Sequence, residues 1–107
     1  MSGLGPMAVM GSGSWGTAFA MLLADAGGAP VIWGRSQQIT DAINSGHRND
    51  EYQPGIDLPA AITATTDPAL ALRDARLVVL AVPAQVLREH LVAWRPYLHP
   101  EAVLVSL

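Results

Sequence analysis

Three glycines near the amino terminus carry the clearest chemical signal in this sequence. Gly11, Gly13 and Gly16 form the pattern GxGxxG within "GSGSWGTAFA", residues 11–20. Where this pattern joins a strand to a helix, the first glycine makes a tight turn, the second lets a pyrophosphate approach the backbone, and the third allows close helix–strand packing. Free N–H groups and the dipole at the helix start favour an anion. The stretch predicts a dinucleotide-binding loop, and a merely flexible turn is the alternative.

The tryptophan inside this pattern has two interpretations. Trp15, at the start of a helix, could be a large side chain that covers the edge of the core. Alternatively, it walls the channel that a pyrophosphate and a nicotinamide would occupy. Composition does not separate the two.

The residues after the second apolar run bear on which dinucleotide fits. The usual fingerprint has Asp or Glu about 20 residues beyond the glycines, where it holds the ribose hydroxyls. Here the sequence reads "WGRS", so Arg35 takes that position. An arginine there can accept a 2′-phosphate or lie over the adenine, so NADP is allowed as well as NAD. Ser36 could cap a helix and also meet a phosphate. A solvated Arg35 beside a purely capping Ser36 is the alternative.

Composition limits the partners that this chain can bind. The formal net charge is −3 and the 6 basic residues, all arginine, are scattered, which argues against nucleic acid and anionic membranes. Without cysteine the chain has no disulfide and no thiolate ligand, which fits a reducing compartment. His47, His90 and His99 lack a short ligand spacing, so no metal site is expected. Small molecules are the expected partners.

The amino-terminal segment is interpreted as a leader followed by one domain. A chain of 107 residues is long enough to bury one core. We expect residues 1–6, "MSGLGP", to be a flexible leader and residues 7–107 to form the dinucleotide-binding domain. The uncharged run before Asp25 is not interpreted as a signal peptide, because it lacks a basic n-region and glycines interrupt it. It is also too short in unbroken apolar length for a membrane span.

Apolar runs alternate with helical patterns along the chain. Residues 47–60, with two prolines and mixed charge, are predicted to be a loop. Strands are predicted in "PMAVM", "PVIW", "AITATT", "RLVVLAVP" and "AVLVSL". The first predicted helix covers Trp15–Ala26 and is ended by Gly27 and Gly28. The second covers residues 36–46, with Ser36 as its N-cap and Gly46 as its stop. A third begins at the Asp67 N-cap and Pro68, and a fourth runs from Pro83 to about Arg95.

These elements predict an α/β fold with a parallel sheet. Fully apolar strands joined by helices in right-handed crossovers favour a doubly wound Rossmann sheet, for which we predict the strand order 3-2-1-4-5. Such a sheet reverses between the first and fourth strands, and ligands bind outside the carboxyl ends at that point. Pro83, Ala84 and Gln85 would line the nicotinamide side there, or would only turn the chain into a helix.

Several segments, in order, resemble one known family, the soluble NAD(P)-dependent glycerol-3-phosphate dehydrogenases of bacteria. "GSGSWGTAFA" resembles the dinucleotide loop of the family, and "VIWGR" resembles its second strand. "YQPGIDLP" resembles its Tyr-x-Pro-Gly-x-x-Leu-Pro loop, "ITATTD" the following strand, and "AVPAQVLR" its Val-Pro-(Ser/Ala)-Gln-x-(Leu)-Arg segment. The similarity covers residues 7–107. Ser12, where alanine is common, and Gln53, where leucine is common, are modest departures.

The resemblance implies a function and a set of binding residues. Members interconvert dihydroxyacetone phosphate and sn-glycerol 3-phosphate by hydride transfer with NAD(P)H, for phospholipid synthesis. It also implies a cytoplasmic protein that forms a homodimer at full length. By similarity, Ser14, Trp15, Arg35 and Ser36 contact the dinucleotide and Tyr52 lies near it. The candidate residues for binding NAD or NADP are therefore Gly11, Gly13, Ser14, Trp15, Gly16, Arg35, Ser36, Tyr52 and Pro83.

The resemblance further implies that catalytic parts lie elsewhere. Members continue from the fifth strand into a lysine that contacts cofactor and substrate, and then into a helical domain with the remaining catalytic groups. Ketone reduction needs a proton donor and a cation for the substrate phosphate, and this sequence has no lysine. We therefore expect the cofactor-binding portion of the enzyme, truncated before its substrate domain and inactive alone.

Two other functions stay open at this point. Related Rossmann dehydrogenases that act on hydroxy acids or pyrroline rings share GxGxxG and a Val-Pro after strand four, but they generally lack "WGTA" and the Pro-Gly-x-x-Leu-Pro loop. The other is a free-standing nucleotide-sensing module. Its partner would meet the apolar "AVLVSL" strand, which has Glu101 as its only nearby charge and is predicted to be sticky.

Overall fold

Short parallel strands form one sheet in the computed structural model, which describes residues 5–107. The strands are β1 (Met7–Met10), β2 (Val31–Trp33), β3 (Thr63–Thr65), β4 (Leu77–Leu80) and β5 (Val103–Ser106). They lie in the order β3-β2-β1-β4-β5, and every neighbouring pair is parallel. The predicted doubly wound order is confirmed. Most of the predicted leader, residues 1–4, lies outside the described residues.

Helices connect the strands on both faces of this sheet. They are α1 (Ser14–Asp25), α2 (Gln37–Gly46), α3 (Pro68–Leu72) and α4 (Ala84–Trp94), followed by a 3₁₀ turn over Arg95–Tyr97. Over residues 5–107, none of the helices combines the length and the apolar character that crossing a membrane requires.

Side chains along each strand point alternately to the two faces of the sheet, so the core is divided into two parts. On one face Val9, Ile32 and Val79 pack with Ile39 and Ile43 of α2. The other face carries the alternate strand residues together with side chains of α3 and α4, and its buried members include Ala8, Met10, Trp33, Leu72, Val78, Leu80 and Trp94. Because successive side chains of a strand point to opposite faces, a strand covered on both sides must be apolar throughout. This explains the uninterrupted apolar runs in the sequence.

The helix starts follow the predicted capping residues. The Ser36 side chain accepts a hydrogen bond from the backbone N–H of Ile39 at 3.2 Å. The Asp67 carboxylate accepts one from the N–H of Ala69 at 2.9 Å, and Pro68 occupies the first helical position. Both predicted N-caps are confirmed, because each side chain pairs an N–H that the helix itself leaves without an acceptor.

One predicted helix end is shifted by a residue. Gly46 remains helical, and His47 adopts the left-handed conformation that ends α2, with φ of 54°. The N–H groups of His47 and Arg48 then donate to the carbonyls of Ile43 and Ala42. Glycine is the usual residue in this conformation, but histidine also occurs there. The prediction of Gly46 as the stop was therefore wrong by one position.

The edge strand β5 exposes apolar side chains. It pairs with β4 and is the last strand of the described sheet. Val103 is 60% and Leu104 is 45% exposed. These exposed apolar side chains are the feature from which association of this edge with other protein surfaces was predicted.

Candidate functional site

A groove of about 1440 Å³ opens at the carboxyl ends of the central strands. It lies where the order of the strands reverses, between β1 and β4. Of the candidate binding residues, all but Gly16 line this groove: Gly11, Gly13, Ser14, Trp15, Arg35, Ser36, Tyr52 and Pro83. The structure therefore brings together residues from four separate segments of the chain.

Gly11 and Gly16 are required by the packing of the loop itself. Gly11 has φ of 141°, and a Cβ there would overlap the carbonyl oxygen of Ala81, just after β4. A Cβ on Gly16 would overlap the carbonyl oxygen of Gly11, so helix α1 starts in direct contact with the loop backbone. Any side chain at either position would force this backbone apart. Gly16 lies beneath the loop, which explains why it does not line the groove.

Gly13 is different, because the fold does not need a glycine there. Its φ is −74°, which any residue can adopt, and a Cβ would meet no atom within 4 Å. Gly13 is the N-cap of α1 and faces the groove. Among the described residues, its N–H has no hydrogen-bond acceptor. The result is bare main chain at a helix start, with the donor and the dipole that bind anions.

Trp15 lies at the mouth of the groove. Its side chain is 80% exposed and lines the groove. The interpretation of Trp15 as a cover for the edge of the core is therefore wrong, because a covering side chain would itself be buried. The alternative, a wall of the groove, agrees with its position.

Arg35 and Ser36 follow β2 on the other side of the glycine loop. Arg35 is exposed and lines the groove, and the ion pairs within residues 5–107 are made by Arg48 instead. Ser36 caps α2 and also lines the groove. A guanidinium beside a helix start can receive a phosphate group.

Past β4, the residues that line the groove differ in part from those expected. Pro83 and Ala84 line it, but Gln85 does not, whereas Val86 and His90 do. Helix α4 starts at Ala84, so each residue is rotated by about 100° from the one before. Residues four apart, such as Val86 and His90, therefore share the groove face, and Gln85 points elsewhere. The expectation for Gln85 was wrong for this reason.

An aromatic cluster joins β2 to α4, and two of its members, Trp33 and His90, line the groove. Trp33 packs edge-on against His90 and Trp94, with ring centroids 5.5 and 5.1 Å apart, and His90 stacks on Trp94 at 4.8 Å. The Trp33 Nε1–H donates to the carbonyl of Thr66 at 3.0 Å, which fixes the indole. His90 is not among the binding residues expected from the sequence, although its spacing of four from Trp94 on a predicted helix could have indicated the pair.

The loop between α2 and β3 is held against the glycine loop. The Ser14 hydroxyl donates to the carbonyl of Tyr52 at 3.3 Å, and the Gln53 side chain donates to the carbonyl of Ser14 at 3.0 Å. Deeper in, the Asn49 side chain donates to the carbonyl of Ser12 at 2.9 Å. Asn49 was missed by the sequence analysis. Gln53, noted only as a departure from leucine, makes a specific contact.

An exposed ion cluster shapes the same loop. The Asp50 carboxylate accepts from the N–H of Gly55 at 3.2 Å and pairs with Arg48 at 2.9 Å, and Arg48 also pairs with Asp57 at 3.3 Å. The hydrogen bond from Gly55, followed by that from Arg48, lowers the pKa of Asp50 below its ordinary value. The pKa of Arg48 is raised, mainly by the hydrogen bond to Asp50. These contacts close the loop on itself.

Comparison with known proteins finds a family that matches almost the whole chain. The family model described as NAD-dependent glycerol-3-phosphate dehydrogenase N-terminus matches residues 6–107. The glycerol-3-phosphate dehydrogenase (NAD(P)+) of Streptomyces griseus is 55% identical over 100 residues, which are 94% of this chain and 30% of that protein. The chain thus spans about 30% of the length of the curated relatives it matches.

Solved structures of glycerol-3-phosphate dehydrogenases contain a similar fold. The glycerol-3-phosphate dehydrogenases of Plasmodium falciparum and Coxiella burnetii each match with a TM-score of 0.87, at 27% and 26% sequence identity. Each comparison covers 94% of this chain and 31% of the solved chain. The similarity therefore extends over the whole sheet and its groove.

The three glycines are expected to differ in what an added methyl group costs. Gly16→Ala should lower the free energy of unfolding by about 1–3 kcal/mol, because the methyl group meets backbone that cannot yield cheaply. Gly13→Ala should cost less, about 0.5 kcal/mol, because its Cβ meets nothing within 4 Å and only the preference of the N-cap for glycine over alanine is lost. Gly46→Ala, whose Cβ also meets nothing within 4 Å, lies in helix α2 and should be neutral or slightly stabilising. Urea denaturation measures all three. Equal losses for Gly13→Ala and Gly16→Ala would contradict the packing described above.

The ion cluster predicts how the loop between α2 and β3 responds to acid. Because the pKa of Asp50 in the fold lies below the ordinary value of 3.8, its contribution is present above about pH 4 and is lost as the pH falls through the folded pKa. The protection of the amides over residues 48–57, which is the exchange rate corrected for the pH dependence of an unstructured peptide, should fall on acidification below that range. Asp50→Asn should abolish this acid dependence, whereas Asp74→Asn, placed between α3 and β4, should keep it. Since Asp50 is exposed, added salt should weaken the effect.

Proposed function

The chain belongs to the family of the NAD-dependent glycerol-3-phosphate dehydrogenase N-terminus, and on that premise we propose that it is the dinucleotide-binding portion of an oxidoreductase. The family assignment confirms the resemblance noted in the sequence. The whole protein would interconvert dihydroxyacetone phosphate and sn-glycerol 3-phosphate with NAD(P)H and supply phospholipid synthesis. Residues 7–107 would be its dinucleotide-binding domain, preceded by a leader over residues 1–6.

The single observation that carries this proposal is the bare backbone at Gly13. The fold explains the glycines at positions 11 and 16, because neither has room for a Cβ. It does not explain a glycine at position 13, where a Cβ would meet nothing within 4 Å. A ligand that approaches the main chain closely gives a reason for it, and a diphosphate is the chemical group that suits a helix N-terminus.

The groove fits a dinucleotide in chemistry as well as in position. The Gly13 N–H would meet the diphosphate at the start of α1, with Ser14 beside it. Arg35 and Ser36 would meet the adenosine ribose or its 2′-phosphate after β2, and Pro83 would lie on the nicotinamide side with Trp15 at the mouth. Gly11 and Gly16 would act by shaping the loop, and Tyr52 by lying beside Ser14. NAD and NADP both remain candidates, with Arg35 favouring NADP.

The proposed hydride transfer requires chemical groups beyond those that line the groove. A bound nicotinamide supplies or accepts the hydride. The residues of this chain would hold the dinucleotide at the carboxyl edge of the sheet and orient it toward the substrate. Proton transfer and the binding of the substrate phosphate need groups of another kind, an acid and a cation. We assign no catalytic residue to this chain, and its relatives are about three times longer.

The remaining parts of the proposal concern the protein in the cell. It would act as a cytoplasmic homodimer on a small phosphorylated substrate, without nucleic acid. The family membership supports this set of properties, together with the scattered arginines and the net charge of −3. The exposed apolar side chains of β5 support contact between this edge of the sheet and another protein surface.

Gly13→Ala should weaken dinucleotide binding while the protein stays folded. The added methyl group would occupy the space through which a diphosphate reaches the backbone, so the affinity for NADH should fall by about tenfold or more, or roughly 1.4 kcal/mol. Gly46→Ala adds the same methyl group at the end of α2, outside the groove, and should leave the affinity unchanged. Calorimetric titration of the intact protein measures both. Unchanged affinity in a folded Gly13→Ala protein would reject the proposed binding site.

Arg35→Ala should remove a preference for the phosphorylated cofactor. If Arg35 holds the 2′-phosphate, NADPH should bind more tightly than NADH by about 1 kcal/mol or more, the scale of a charge-assisted hydrogen bond. The variant should bind the two equally. Arg88→Ala removes the same charge from α4 outside the groove and serves as the control. A preference for NADPH that survives Arg35→Ala would show that another group reads the phosphate.

A further inference from the structure

Two buried polar side chains lie beneath the glycine loop, and the proposed function does not use them. Thr17, on the first turns of α1, is 0% exposed, and Asn49, from the loop between α2 and β3, is 1% exposed. Neither belongs to the GxGxxG pattern, and neither lines the groove. Buried polar groups are costly unless they make hydrogen bonds, so the bonds that these two make indicate why they are there.

Their hydrogen bonds converge on one carbonyl of the glycine loop. The Asn49 Nδ2 group donates to the carbonyl oxygen of Ser12 at 2.9 Å and to the Thr17 hydroxyl at 3.0 Å. The Thr17 hydroxyl donates its own proton to the same Ser12 carbonyl at 3.2 Å. Because a carbonyl only accepts, the Asn49 side chain must turn its nitrogen, and not its oxygen, toward the loop. The direction of each hydrogen bond is therefore fixed.

Fixing the Ser12 carbonyl also fixes the N–H of the next residue. In a planar trans peptide, the C=O of one residue and the N–H of the following residue point in opposite directions. The Ser12 carbonyl points to the buried pair formed by Asn49 and Thr17. The Gly13 N–H therefore points away from that pair, and Gly13 lies on the groove side of the loop. A rotated Ser12–Gly13 peptide would present an oxygen to an anion where a donor is needed.

Asn49 is itself held in place by the loop that carries it. Its backbone carbonyl accepts from the N–H groups of Gln53 at 2.7 Å and Tyr52 at 3.3 Å. Its neighbours Arg48 and Asp50 form the ion pair at the loop surface. The side chain thus starts from a fixed backbone position, and the glycine loop receives a rigid support.

The other end of the Asn49 side chain shows that stability alone does not account for it. Its Oδ1 atom is buried and, within residues 5–107, has no hydrogen-bond partner. An apolar side chain of similar size would avoid that cost, because it leaves no buried acceptor unpaired. What an apolar side chain lacks is the shorter of the two hydrogen bonds that hold the Ser12 carbonyl, the other being that from Thr17.

We propose that Asn49 is a positioning residue for the dinucleotide. It fixes the Ser12–Gly13 peptide so that the Gly13 N–H is directed at a diphosphate in the groove. This inference rests on the proposed function, and it adds a residue that acts through the glycine loop without touching the ligand. Thr17 completes the same network from helix α1.

The test compares two substitutions at Asn49 with a matched control. Asn49→Asp puts an oxygen in place of the donating nitrogen and repels the Ser12 carbonyl, whereas Asn49→Leu removes the donor and the unpaired acceptor together. Asn44→Asp is the control. The Asn44 amide also bonds to backbone, donating to the Ala64 carbonyl and accepting from the Ala64 N–H, both at 2.8 Å, but it joins α2 to β3 outside the groove.

Two measurements on the intact protein separate positioning from general damage. Calorimetric titration with NADH and with ADP, which carries the diphosphate, should show about a tenfold or greater loss of affinity for both Asn49 variants. Asn44→Asp should retain the parent affinity. Amide exchange without ligand should accelerate at residues 12–14 in the Asn49 variants only. Asn49→Leu should unfold at nearly the parent urea concentration, which keeps the test valid if Asn49→Asp fails to fold.

The outcomes distinguish failure of this inference from failure of the proposed function. If Asn49→Leu folds and binds NADH and ADP as tightly as the parent, Asn49 does not position the loop for binding, whatever its exchange rates show. If Asn44→Asp loses as much affinity, the effect is general and the inference is also overturned. If the parent protein binds neither NADH nor ADP, the proposed function itself fails before any variant is compared.

Discussion

The close approach of helix α1 to the backbone that follows β1 is the constraint on which the rest of the site depends. A Cβ on Gly16 would overlap the carbonyl oxygen of Gly11, and a Cβ on Gly11 would overlap that of Ala81. Main chain therefore packs on main chain at the point where β1, β4 and α1 meet. This brings the helix start to the carboxyl edge of the sheet, where its N–H groups face open space rather than protein. The position of the groove and the open helix start within it follow from that contact.

Much of the fold could be predicted because its signals are local. Buried strands of a parallel sheet are apolar on both faces, and serine, aspartate and proline at helix starts act on N–H groups only two or three residues away. Gly46 and Gln85 were misjudged for equally local reasons. His47, and not Gly46, is the residue at which α2 ends in the left-handed conformation, and the exact start of α4 decides which of its residues face the groove.

The parts of the site that sequence reasoning missed depend on contacts between distant segments. Asn49 reaches Ser12 across 37 residues and Thr17 across 32 residues. Nothing in the loop between α2 and β3 indicates that its asparagine will be buried, since asparagine is ordinarily a turn residue. The aromatic cluster of Trp33, His90 and Trp94 likewise joins β2 to α4. Periodicity indicates which residues are buried, but it does not indicate which distant polar groups they will meet.

The contrasting exposures of the tryptophans have a practical consequence. Trp15 is 80% exposed at the mouth of the groove, whereas Trp33 and Trp94 are 7% and 2% exposed in the core. An aqueous fluorescence quencher such as iodide reaches the first indole and not the other two. The molecule thus carries an intrinsic optical reporter at its mouth, and its emission can be followed without attaching a dye.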